Sequence, residues 1–127
     1  MIQQQSILNI IDNSGAKAGK CIKVLNKKPY ATIGDYILIS ITKVKNYSNS
    51  NKISKIKKGS IFLAIVVGLK KIYKKKKGVS YFINYNYVCL LNNQKKLIAT
   101  RLNKAIFKEL KKKKLFKMAS LSLAGFF

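Results

Sequence analysis

The side chains able to do chemistry in this chain are almost all ammonium groups. Every one of its 27 basic residues except Arg101 is a lysine, set against three acids (Asp12, Asp35 and Glu109), two cysteines and no histidine. Catalysis near neutral pH needs an acid, base or nucleophile whose pKa is tuned by a neighbour. Isolated acids and two distant thiols assemble neither a triad nor a carboxylate pair, so no catalytic residue is assigned and the chain is not expected to be an enzyme. Cys21 and Cys89 lack the spacing of a metal site and read as two small buried hydrophobes, with a disulfide as the alternative. No metal or cofactor is expected.

The ammonium groups call for a polyanion. A formal charge of +24 on 127 residues repels itself in a compact state unless phosphates neutralise it. Lysine acts as a point charge where arginine offers a planar fork suited to base edges, so the chain is expected to grip backbone phosphates rather than read sequence. The candidate contacts are Lys17, Lys20 and Lys23, then Lys55, Lys57 and Lys58, then Lys70, Lys71, Lys74, Lys75, Lys76 and Lys77. The last two groups fall on loops flanking one strand, where they are expected to form one phosphate-binding surface. Tyr73, between two lysine pairs, either stacks on an unpaired base or packs across its hairpin.

These groups need a scaffold. Branched and aromatic segments alternate with Gly, Asn and Lys clusters, which predicts strands at about 6–11, 20–25, 36–45, 60–69 and 79–91. In the third, Ile37, Ile39 and Ile41 share one face; the fourth, SIFLAIVVGL, is apolar on both faces and belongs at the centre of a sheet. Five such strands leave exposed edges unless they close on themselves. The expected fold is therefore mainly β, a small closed five-stranded barrel over about 1–100 of a single 1–127 domain. Beyond Thr100, Asn103 as an N-cap and Ala105, Ile106 and Leu110 at helical spacing predict the first of two short C-terminal α-helices, with Glu109 as a local charge partner and the lysines at 111–114 at its end.

Asp12 and Asp35 both adjoin turn glycines (DNSG and GD), where an aspartate caps its own backbone. In the first turn Asn13 and Gly15 are expected to supply unusual backbone angles. The longest apolar run, 61–67, is far short of the roughly 20 residues that span a bilayer, and the start lacks the basic region of a signal peptide. A bias toward Lys, Ile, Asn and Tyr suggests an adenine- and thymine-rich genome, as in an organelle or a reduced bacterium.

The opening MIQQQSILNIIDNSGAKAGKCIKVL resembles the start of the universal large-subunit ribosomal protein family numbered fourteen. The likeness continues in order through IGDYILISI, KKGSIFLAIVVGLKK, NYVCLLNNQ, ATRLNKAIFKEL and LFKMASLSLA, and so covers essentially the whole chain. The resemblance implies a five-stranded barrel with small C-terminal helices bound to large-subunit rRNA. It also implies contact with small-subunit rRNA at an intersubunit bridge, a place beside the ribosomal protein numbered nineteen, and an exposed face where a subunit anti-association factor docks. The family's Thr-Arg pair falls on Thr100 and Arg101, and a further basic position on Lys114, which marks these three for bridge or factor docking. The family-like start at Met1 leaves no room for a presequence, so the expected setting is a mitochondrial ribosome with the chain encoded in the organelle; a plastid or a reduced bacterium is the alternative.

The departures from the family are local. Its Arg-Thr-Lys-Lys after the central strand is here Gly68, Leu69, Lys70 and Lys71, its hairpin Asp-Gly is Lys77 and Gly78, and its Phe-Gly-Pro becomes Asn103, Lys104 and Ala105 after Leu102. The Asn- and Ser-rich loop at 46–51 is longer than the family norm. Two other readings compete: a free OB-like module for single-stranded nucleic acid, which calls for stacking aromatics on one barrel face, and a membrane-active cationic protein, which calls for a long basic amphipathic helix. The scattered aromatics and the short KKKK-LF segment favour neither, and no membrane partner is expected.

Overall fold

The computed structural model describes residues 1–45, 56–74, 76–107, 110 and 115–123. Lys55, Lys75, Glu109, Lys114 and the loop at 46–51 lie outside the described residues.

Alternation of β-branched and polar residues makes the strands. In β3 (Tyr36–Val44), Ile37, Ile39 and Ile41 are buried while Leu38, Ser40 and Thr42 are only half-buried on the other face. Burying each such isoleucine stabilises the fold by about 1.5–3 kcal/mol. β4 (Ile61–Gly68) is buried from Ala64 onward on both faces, as expected of a central strand, and pairs antiparallel with β3 on one side and with β7 (Tyr87–Leu91) on the other. β2 (Ala16–Val24) pairs antiparallel with both β3 and β1 (Ile7–Ile10). A parallel pairing of β1 with β7, Asn9 opposite Tyr87 and Ile10 opposite Val88, closes the barrel in the order β1-β2-β3-β4-β7. Closure leaves no unpaired barrel edge.

Two boundaries differ from the sequence reading. β2 begins at Ala16, four residues before the expected start, because it pairs with both its neighbours along that stretch. The expected fifth strand is two elements: β6 (Ser80–Phe82) turns away to form a separate ribbon with β5 (Ile72–Lys74), and only β7 enters the barrel. The break falls at Asn86, whose side-chain Oδ1 accepts a hydrogen bond from Lys70 N–H at 2.9 Å and so ties the ribbon's root to the barrel.

The two C-terminal helices are a correction. Among the described residues the C-terminal part contains the helical turn Phe116–Ser120, with no side-chain cap, and residues 103–107, where the first helix was expected to begin, are not helical. Asn103 N–H donates to Ile11 C=O at 2.9 Å, Leu102 N–H donates to Leu121 C=O at 3.0 Å, and Leu102 C=O accepts from Leu123 N–H at 3.2 Å. Long-range pairing thus fixes the backbone at Leu102 and Asn103, where the first helix was expected to begin. Ile106 and Leu110 are buried: with Leu102, Phe107 and Met118 they form an apolar cover continuous with the barrel core.

Gly68 explains one departure from the family. A Cβ there would sit 2.8 Å from Tyr87 Cδ2 and 3.3 Å from Phe107 Cε2, so the space of a side chain is taken by two rings. Cys21 and Cys89 are free and buried; burial raises both thiol pKa values, that of Cys89 well above the ordinary range, with the Asp12 charge adding to it.

Gly68→Ala is expected to lower unfolding stability by about 1–3 kcal/mol, read by denaturant titration, because two packed rings must move. Neither thiol is expected to react rapidly with a disulfide reagent in the folded protein, whereas both react once denaturant is added; one fast-reacting thiol under native conditions contradicts the burial described.

Candidate nucleic-acid interface

The turn after β1 carries a buried carboxylate that ties two parts of the barrel together. Asp12 is fully buried. Its Oδ1 accepts from Ser14 N–H at 3.0 Å and from the Ser14 hydroxyl, and its Oδ2 accepts from Leu90 N–H in β7 at 2.8 Å. The carboxylate therefore caps its own turn, as expected, and also joins that turn to a barrel strand far along the chain. Gly15 takes the left-handed backbone conformation with φ 98°, whereas Asn13 does not, contrary to the sequence reading. Asn13 works through its side chain: Oδ1 accepts from Thr100 N–H at 3.1 Å and Arg101 N–H at 3.3 Å, and Nδ2 donates to Thr100 Oγ1 at 2.9 Å. The DNSG turn and the Thr100-Arg101 pair form one surface, with both Thr100 and Arg101 exposed.

Asp35 is likewise occupied. Its Oδ2 accepts from Thr32 N–H and Thr32 Oγ1, each at 2.8 Å, and from Asn26 Nδ2 at 2.9 Å. Among the described residues no group of three or more Asp, Glu, His or Cys is placed to hold a metal.

β2 presents the clearest lysine row. In an unbroken strand, residues three apart point to opposite faces, so Lys17, Lys20 and Lys23 would alternate in and out. Register shifts between Ala16 and Ala18, between Ala18 and Gly19 and between Cys21 and Lys23 correct this, and all three lysines are exposed while Ala16, Ala18, Gly19 and Cys21 are buried. Bulges re-aim side chains in this way. At the Ala18–Gly19 shift the strands approach closely: a Cβ on Gly19 would lie 3.1 Å from both Ile39 Cδ1 and Ser40 O. Spacing in the sequence did not reveal the bulges, although Gly19 inside a strand pattern was the available signal.

The other lysines fall at two places rather than one. Lys57 and Lys58 are exposed on the turn before β4, held by Lys57 N–H donating to Ser60 Oγ at 3.2 Å and Gly59 N–H donating to Ile41 C=O at 2.8 Å. Ser60 leads into Ile61, which pairs with Ser40, which pairs with Lys20, so this turn adjoins the β2 row. Lys70, Lys71, Lys74, Lys76 and Lys77 are exposed at the opposite end of β4, roughly 26 Å away at about 3.3 Å per residue. The single surface expected from loops flanking one strand is therefore two patches.

Tyr73 lies opposite Tyr81 in the ribbon, with ring centroids 5.4 Å apart, and its ring is 4.5 Å from that of Phe107. It packs across its hairpin and fastens the ribbon to the C-terminal cover. Beside Thr100, a cavity of about 700 Å³ opens between the barrel and the helical turn, lined by Tyr36, Ile65, Leu91, Leu97 and Leu121 among others.

A lysine-coated closed barrel whose described acids, Asp12 and Asp35, are internally satisfied defines a small cationic scaffold protein. The model of the family described as ribosomal protein L14p/L23e matches residues 1–125, and the chain belongs to that family. It is 43% identical over 124 residues to the large ribosomal subunit protein uL14 of Carsonella ruddii (strain PV), a match covering 96% of this chain and 97% of that one.

Asn13→Ala is expected to speed amide exchange at Thr100 and Arg101 while leaving β2–β3 amides protected, since the lost bonds are local and worth about 0.5–1.5 kcal/mol each. Asp12→Ala, which strands the buried Leu90 N–H, is expected to destabilise the whole barrel by about 1–3 kcal/mol; equal and global effects of the two substitutions would contradict the division of labour.

Proposed function

We propose that this chain is a structural, non-catalytic constituent of the large ribosomal subunit that clamps folded large-subunit rRNA by neutralising its phosphates. The observation that carries the reading is the bulge-corrected row of Lys17, Lys20 and Lys23 on the outside of a +24 barrel, in a chain of a ribosomal protein family. Lys57 and Lys58 extend that row. Lys70, Lys71, Lys74, Lys76 and Lys77 form a second grip, and Lys55 and Lys75 belong with these groups by sequence. Tyr73 holds the second patch in position through Tyr81 and Phe107.

The exposed Thr100-Arg101 pair, fixed from behind by Asn13, supports contact with small-subunit rRNA at an intersubunit bridge. Arg101, with a fork suited to phosphate or carboxylate, is the bridge group, and the apolar cavity beside Thr100 suits a docking anti-association factor, with Lys114 as a further contact. The ribosomal protein numbered nineteen is the proposed protein neighbour. Of the settings considered, the mitochondrion, a plastid and a reduced bacterium, the relative from Carsonella ruddii favours the last.

In sedimentation through a high-salt gradient, the chain is expected to stay with the large subunit and its rRNA; release to the top of the gradient would sink the structural role and leave a free nucleic-acid binder. The triple substitution Lys17→Ala, Lys20→Ala, Lys23→Ala is expected to reduce the slope of log affinity for large-subunit rRNA against log salt by roughly 2 to 3, at about 0.7–0.9 per phosphate contact.

A further inference from the structure

A second cleft, of about 420 Å³, opens where the ribbon returns to the barrel, between residues 81–87 and 103–105. Its size falls within the roughly 300–1,000 Å³ of small-molecule pockets. Tyr81, Tyr85 and Tyr87 line it together with Asn84, Asn103 and Lys104. The composition is unlike that of the lysine patches: three phenol rings and the Phe82 ring, two amides, a single ammonium group and the apolar Ile83 and Ala105.

Tyr81 is already packed against Tyr73 and Phe107, and the other groups are held in place around it. The Tyr87 ring is held against Gly68, and burial, then the neighbouring Tyr85, raises its hydroxyl pKa. The Tyr85 ring is tilted 46° to that of Tyr87 at 6.5 Å and is 54% exposed, so it offers a free face. Asn103 is anchored by its backbone N–H to Ile11 C=O, and Lys104 by its C=O, which accepts from Ser122 Oγ at 3.0 Å. The side-chain amides of Asn84 and Asn103 make no hydrogen bond among the described residues, and both are exposed beside the rings. Asp12 and Asp35, the described acids, do not line the cleft.

An aromatic face, amides beside it and a cation at the rim match the three parts of a nucleotide: the base's π-face, its hydrogen-bonding edge and its phosphate. A duplex cannot use such a cleft, because its base faces are stacked and its edges paired. We propose that this cleft seats one unpaired nucleobase of rRNA, stacked on Tyr85, edge-bonded by Asn84 and Asn103, with its phosphate on Lys104. The inference rests on the rRNA-binding reading above and adds to it a nucleobase contact on a protein otherwise built for phosphates. Asn103 and Lys104 stand where the family's pattern has Phe and Gly, so the contact is a property of this chain's own residues.

The test uses the full chain and pairs of RNA hairpins that are identical except for a single bulged nucleotide, one of the four bases or 2-aminopurine. The bulged hairpin is expected to bind roughly five- to a hundredfold more tightly than the paired one, with quenching of the 2-aminopurine fluorescence. Tyr85→Ala and Asn103→Ala, both at exposed side chains, are expected to remove that preference while leaving affinity for the paired hairpin and the unfolding midpoint unchanged. Equal binding of bulged and paired hairpins by the wild-type chain, or a preference that survives Tyr85→Ala, overturns the cleft proposal alone. Failure to bind either hairpin overturns the rRNA-binding reading, and this proposal with it.

Discussion

The structure depends on one buried carboxylate. Asp12 has no counter-ion within the described fold and is stabilised by hydrogen bonds alone, from Ser14 in its own turn and from Leu90 in β7. A buried charge without such partners would cost several kcal/mol, so the interaction tolerates little displacement. It therefore fixes the β1–β2 turn relative to β7, the strand that β1 must meet to close the barrel. Closure, the placement of Asn13 against Thr100 and Arg101, and the exit path of the C-terminal segment over the barrel all follow from that anchor.

The electrostatic design is asymmetric. Anions are scarce, and the two described ones are consumed internally, Asp12 by the barrel and Asp35 by the Thr32 turn. The lysines are left to solvent, on the outer face of β2, on the turn before β4 and on the ribbon. A protein so arranged folds around an apolar barrel and gains little from its own charge pairs; its surface charge is balanced by the phosphates of a partner. Proximity of the lysine row to exposed Ile7 and Ile61, which flank Lys20 and Ser40 across the sheet, makes that face both cationic and apolar.

Much of the architecture was legible beforehand because the barrel strands carry their period openly. The isoleucine alternation in β3 and the two-sided apolar run of β4 place them correctly, and the need to hide sheet edges leads to closure. The C-terminal part was misread because apolar spacing of three and four residues has two uses. Ile106, Phe107 and Leu110 cover the barrel, while the neighbouring backbone at Leu102 and Asn103 bonds to Ile11, Leu121 and Leu123, partners that no local pattern announces. The split of the fifth strand was hidden for a related reason: the segment is rich in tyrosine throughout, and only the Asn86 contact to Lys70 shows where it bends.

By itself, the sequence determined the charge, the absence of histidine, the β periodicity and the ordered motifs that mark the family, because these are properties of composition and short range order. The tertiary structure alone decided which lysines act together. Register shifts along β2 turn Lys17, Lys20 and Lys23 to one face, and the length of β4 separates the remaining groups into two patches. It also decided that Asn13 holds Thr100 and Arg101 and that Tyr73 belongs to a ring cluster with Tyr81 and Phe107. These outcomes arise from pairing between segments distant in the chain, where hydrogen-bond register and steric fit, rather than local propensity, select the arrangement.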